Sequence, residues 1–150
     1  MTETAGPAPG YKDMPEHFVN FERSPKRIRV AFGGKTIVDT TDGLIVYERG
    51  HVPVYYFPRD DVAMDLLTGT DHSTHCPFKG DASYFTVNAG GQTAENAVWS
   101  YELPFDEAAG MKDYIAFYWN KMDAWHEEDE EVFVHARSPK VRVDILDSSR

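Results

Sequence analysis

The sequence predicts a single α+β domain, mainly antiparallel β, with one long helix packed on the sheets. Two observations carry that expectation. Short apolar or alternating runs are punctuated by Gly33-Gly34 and Gly90-Gly91, pairs that mark tight hairpins. And one segment, Asp106 to Trp125, repeats apolar residues at helical spacing: Met111, Ile115, Tyr118, Met122 and Trp125 form a single stripe.

The elements follow in order. Met1 to Gly10 is small and polar, with Pro7, Pro9 and Gly10, and reads as a disordered lead-in. It lacks the basic start and apolar block of a signal peptide. Residues 11–22 read as an ordered arm or a continuing tail, so the domain proper is assigned to 23–150. Arg27 to Phe32 alternates as a half-buried strand, and Lys35 to Asp39 returns from the Gly-Gly turn. Leu44 to Glu48 is a third strand. Val52 to Phe57 is a fourth, placed at an edge by Pro53. Arg59 to Leu67, after Pro58 and with acids in its first turn, reads as a short helix. Tyr84 to Asn88 and Thr93 to Tyr101 flank the second Gly-Gly pair. Val132 to Val134 and Val141 to Ile145 read as closing strands. Val30 to Thr36 and Val87 to Thr93 echo one another, either as a duplicated β half or as two independent hairpins.

A chain of 150 residues suits one domain with a substantial core. Fifteen basic against 25 acidic residues give a net charge of −10. That field repels phosphate backbones, so a nucleic-acid polymer is not an expected partner. No apolar run is long enough to span a membrane as a helix. The single cysteine permits no internal disulfide and fits a reducing, cytoplasmic setting.

The densest chemistry lies in Thr74 to Tyr84, a segment read as a loop. It holds His75, Cys76, Lys79, Asp81, two hydroxyl residues and two rings. Pro77 keeps Cys76 extended, so His75 and Cys76 point to opposite sides. Cys76 shares a face with Thr74, and a turn at Lys79-Gly80-Asp81 would bring Lys79 to it. Three readings stand. Cys76 is a nucleophile or redox thiol with Lys79 or a histidine as partner; or the segment binds a small anionic, nucleotide-like ligand through Lys79, Thr74 and backbone amides, with nearby rings for stacking; or Cys76 is a small buried hydrophobe. Asp71, His72, His75 and Cys76 suggest zinc, but structural zinc favours paired cysteines, and no metal or other cofactor is expected.

Elsewhere, Arg59 with Asp60 and Asp61 reads as an anion-binding arginine beside a general base, or as a solvated helix turn. Trp99, Tyr101, Tyr118 and Trp119 read as pocket walls or as core. Glu48, Arg49 and His51 are weaker candidates at a strand end. His126 to Glu131 reads as a solvated acidic face.

Several motifs together carry a resemblance: Phe32-Gly33-Gly34; Val54 through Val62 with Tyr55-Tyr56-Phe57-Pro58-Arg59; the Thr74–Tyr84 segment; Trp99-Ser100-Tyr101; and Ala116 through Trp119 on to Val132. From about Arg27 to Ser149 the chain resembles the DUF427 domain family, catalogued under a nucleotidyltransferase-like name. The resemblance implies curved antiparallel sheets of the Mss4-like kind, without that fold's paired cysteines. It supplies no catalytic residues. The expected activity is therefore binding or processing of a small polar or anionic ligand. The ligand contacts would be Tyr56, Arg59, Thr74, Lys79, Tyr84, Trp99 and Tyr101. In an enzyme, Lys79 or Arg59 would stabilise charge, and Cys76 or His75 would do proton or covalent chemistry. The alternatives are a non-catalytic interaction or scaffold domain, and a nucleotidyltransferase-like enzyme.

Overall fold

The structure is a computed structural model that describes residues 3–140. Within them, eleven strands form three antiparallel sheets. The first sheet has the order β1-β4-β5, from Val19–Ser24, Gly43–Glu48 and Val54–Tyr56. The second has the order β11-β10-β2-β3, from Glu130–Val132, Ala124–Glu127, Ile28–Phe32 and Lys35–Thr40. The third has the order β6-β7-β8-β9, from Leu67–Cys76, Gly80–Ala89, Gln92–Pro104 and Ala116–Phe117.

Strand β4 explains how the layers meet. Leu44, Ile45 and Val46 form a near-continuous apolar run because both faces of the strand are covered. Ile45, with Tyr55 of β5, joins one buried cluster built around Ile28, Val30, Phe57, Val87, Val98, Ile115 and Trp125. Leu44 and Val46, with Tyr56, join a second cluster with Tyr84, Tyr101 and Met111. Each such side chain, fully buried, contributes about 1.5–3 kcal/mol.

Both Gly-Gly pairs turn hairpins as expected, β2–β3 and β7–β8. The two turns also touch. A Cβ on Gly33 would sit 2.0 Å from the Ala89 carbonyl oxygen, and one on Gly90 would sit 1.9 Å from that of Gly33. The echo in the sequence thus corresponds to two turns packed backbone to backbone.

The long helix is overturned. Asp106–Met111 is a 3₁₀ turn, Ala116–Phe117 is β9, Trp119–Lys121 is another 3₁₀ turn, and Ala124–Glu127 is β10. Met111, Ile115, Met122 and Trp125 are buried as the stripe required, but Tyr118 is 39% exposed. Asp113 adopts φ +66°, which ends any helical run. Tyr114 to Trp119 is rich in aromatic and β-branched residues, and sheet pairing with β8 and β2 outweighs the weak helical period. The short helix after Pro58 is likewise only two 3₁₀ turns, Arg59–Asp61 and Met64–Leu66.

The Thr74–Tyr84 segment is no loop but the tip of the β6–β7 hairpin, with Cys76 opposite Gly80. Strand β6 escaped the sequence reading because it is polar and exposed on both faces. Of the residues read as a disordered lead-in, Ala5 and Gly10 are tied down. Ala5 N–H donates to Pro104 O at 2.8 Å and Gly10 N–H to Pro77 O at 3.0 Å. Among the described residues the one α-helical element is α1, Gly10–Asp13, and no helix is long and apolar enough to cross a membrane. The expected strand at Val141 to Ile145 lies outside the described residues.

Candidate functional site

Strands β4, β5, β7 and β8 place side chains around a cavity of about 370 Å³. Alternation along β8 sends Trp99 and Tyr101 to one face, and Tyr84 on β7 lies opposite Trp99. Tyr56 on β5 faces the same space. Tyr118, Trp119 and Trp125 complete the aromatic wall, while Val52, Pro53, Val134 and His135 line it from two connecting segments. Val52 and Val134 are exposed, which locates them at the rim. All three tryptophans of the chain line this one cavity.

The rings are fixed by their polar atoms. Trp99 donates its indole N–H to the Tyr56 hydroxyl at 3.0 Å, with the two rings perpendicular. Tyr84 and Thr74 share a hydrogen bond between hydroxyls at 3.0 Å. Trp119 and Trp125 stack at 4.0 Å, and the Trp125 indole donates to Trp119 O at 3.0 Å.

One end of the cavity is charged. Lys79, from the hairpin tip, forms an ion pair with Glu48 at the end of β4. The lysine side chain is 13% exposed and the glutamate 8%. The ammonium also lies 5.7 Å from the centre of the Tyr101 ring, where the π-face favours a cation. Burial alone would raise the Glu48 carboxyl. The hydrogen bond and charge of Lys79, aided by His17 and His51, outweigh it and hold Glu48 below its ordinary value. Burial raises the Tyr56 and Tyr101 phenols well above theirs, so both stay protonated donors. Tyr118 is pushed up to about 12 by its hydrogen bonding to Tyr84 and then by burial.

The residues singled out in the sequence divide three ways. Tyr56, Lys79, Tyr84, Trp99 and Tyr101 line the cavity together, as do Tyr118 and Trp119. Thr74 and Cys76 stand behind its wall: Thr74 supports the Tyr84 hydroxyl, and the half-buried Cys76 packs against the cluster holding Tyr56, Tyr84 and Tyr101. Arg59 lies elsewhere. It donates to Ser100 Oγ at 3.1 Å, pairs with Glu102 at 2.9 Å and caps the Asp113 carbonyl at 2.7 Å. Ser100 and Glu102 alternate with Trp99 and Tyr101, so Arg59 sits on the opposite face of the sheet. His75 also diverges from Cys76 and pairs with Asp81 at 2.7 Å. Among the described residues no three His, Cys, Asp or Glu side chains gather as metal ligands.

Sequence reasoning underweighted Glu48. Its signal is an acid closing a run of apolar residues that must be buried. It missed Trp125, Val134 and His17 as site residues, the last because its partner Glu48 is distant in the chain. It also took Glu127 for part of a solvated acidic face. That carboxylate is buried, accepting from Tyr55 Oη at 2.8 Å and from Arg137 Nε at 2.7 Å. The arginine anchors the chain just after Val134 and His135.

A family model described as a domain of unknown function, DUF427, matches residues 20–128. The chain belongs to the DUF427 family. No curated protein matches it. The DUF427 match contains Tyr56, Lys79, Tyr84, Trp99, Tyr101 and Glu48. It leaves outside it the N-terminal arm, which reaches Glu48 through His17, and the rim residues Val134 and His135.

Proposed function

We propose that the DUF427 cavity binds a small planar molecule whose acceptor-bearing head group, a carbonyl or carboxylate, meets Lys79. The carrying observation is the shared cavity of Lys79, Tyr56, Tyr84, Trp99 and Tyr101. Half of its lining residues are phenylalanine, tyrosine or tryptophan, and valines add to the apolar wall, which suits a flat apolar body. Its charged end is rich in donors. The ammonium has three N–H groups and spends one on Glu48. The Tyr56 oxygen accepts from Trp99, and its own O–H remains a donor.

The anion-binding expectation is narrowed by this arrangement. Lys79 is already neutralised by Glu48, so a single carbonyl or carboxylate fits better than a polyphosphate. Nucleotidyl transfer, the activity in the family's catalogue name, uses carboxylates converging on a triphosphate. The cavity offers Glu48, held by Lys79 and His17.

A thermal-shift screen tests the reading with benzoate, benzamide, inorganic phosphate and ATP. At a hundredfold excess over its dissociation constant, a true ligand adds about 2.7 kcal/mol of stability. Stabilisation by the planar carbonyl compounds supports the cavity reading. Stabilisation by ATP or phosphate alone would overturn it.

A further inference from the structure

The arm before β1 folds over the turn that carries Lys79. Tyr11 meets Phe78 edge-on at 5.1 Å, and His17 stacks on the same ring at 3.7 Å, inclined by 18°. The His17 side chain is 8% exposed, and its Nε2 lies 2.9 Å from Glu48 Oε2. The other Glu48 oxygen is the one Lys79 holds. A single carboxylate therefore joins the arm, outside the family match, to the charged end of the cavity.

We propose that His17 is a positioning residue for this cavity, and that its protonation governs how strongly Lys79 attracts an anionic head group. This rests on the cavity being a site for planar carbonyl or carboxylate compounds. With His17 neutral, Glu48 and Lys79 cancel and the cluster carries no net charge. With His17 protonated, Glu48 lies between two cations and the cluster is net positive. A carboxylate ligand then binds more tightly, while a neutral carboxamide of the same shape does not. The affinity gain accompanies the protonated imidazole and is lost with the neutral one.

The other titratable groups around the cluster are Tyr11, His51, Tyr56, Cys76, Tyr101 and Glu107. Burial and then Glu107 raise Tyr11, which stays neutral. Arg49, next to Glu48 in the chain, donates to Glu16 O at 3.3 Å. His51 is the second imidazole and requires its own control.

Benzoate and benzamide are titrated into the full chain by tryptophan fluorescence between about pH 5 and about pH 8, the range of imidazole protonation. Benzoate affinity is expected to fall about tenfold across that range, a coupling of ordinary size between two sites. Its midpoint should match the His17 ring titration followed by NMR. Benzamide should show no slope. His17→Gln should abolish the benzoate slope, and His51→Gln should keep it whatever its effect on affinity. A flat wild-type curve, or a slope that survives His17→Gln, overturns the assignment. A ligand-free readout separates this inference from the cavity reading. The Glu48 carboxyl carbon resonance should step at the His17 midpoint in the wild type and not in His17→Gln. No step refutes the positioning role even where benzoate binds. A step without benzoate binding upholds the His17–Glu48 coupling and removes the cavity reading on which the ligand effect depends.

Discussion

The Trp99 indole N–H donates to the Tyr56 hydroxyl at 3.0 Å, a bond that ties β8 of one sheet to β5 of another and sets the cavity wall. Tyr56→Phe leaves the indole without that acceptor while keeping the ring. The expected cost is about 1–2 kcal/mol in chemical denaturation, the range for an orphaned donor. Trp99→Phe should cost a similar amount through the lost hydrogen bond and wall contacts, and also weaken ligand binding. Unchanged stability in both variants would mean that this bond does not hold the sheets in register.

Lys79 and Glu48 form one electrostatic unit. Lys79→Met leaves a nearly buried carboxylate with only the imidazoles of His17 and His51 against it. Breaking one half of such a pair is expected to cost about 2–4 kcal/mol. Adding Glu48→Gln should restore at least half of that loss, because the unpaired charge is gone. A double-mutant cycle measures the coupling directly. Additive losses would show that the two groups do not act together.

Acid stability follows from the same carboxylate. Glu48 lies below its ordinary value of 4.5 in the folded chain, with burial opposing and Lys79 prevailing. A depressed folded value contributes stability above the unfolded value and loses it as pH falls through the folded one. Glu102, opposed by burial and held by Ser83 and Arg59, and Glu130, held by Arg137, shift in the same direction. The wild type should therefore lose stability steeply below its ordinary carboxylate range. The gap between wild type and Glu48→Gln should narrow over the same interval. A constant gap down to the acid transition would contradict the pairing.

The two touching hairpin turns give a sharp contrast. Gly33 and Gly90 have φ near +59° and +57°, and a Cβ on either meets a carbonyl oxygen at 2.0 or 1.9 Å. Alanine at either position should cost at least about 3 kcal/mol, since backbone must move. Gly34 and Gly91 also have positive φ but open space around them. Alanine there should cost only about 1–2 kcal/mol of left-handed strain. Equal losses at all four positions would refute the backbone contact.

Much of this architecture was legible where side-chain period and turn chemistry agree. The β2–β3 and β7–β8 hairpins were readable because alternating residues flank glycines that can take positive φ. Cys76 and His75 diverge because Pro77 demands extended chain before it. The segment from Asp106 to Trp125 misled because its apolar residues recur at helical steps by coincidence, while its aromatics pack as strand and turn. Strand β6 was invisible because an exposed edge needs no apolar pattern. Tyr56, Lys79, Tyr84, Trp99 and Tyr101 could be nominated one by one from their chemistry. That Arg59 lies across the sheet from them, and that His17 reaches Glu48, depends on pairings between distant strands that no local pattern encodes.

Because Trp99, Trp119 and Trp125 all line the cavity, intrinsic tryptophan fluorescence reports on that space. The most direct measurement is a benzoate titration followed by tryptophan emission in the wild type and in Lys79→Met. A saturable change in the wild type, weakened at least about tenfold in Lys79→Met, is the expected result for a lost charge-assisted hydrogen bond. A saturable change of equal affinity in both proteins, or none in the wild type, would contradict a ligand site built around Lys79.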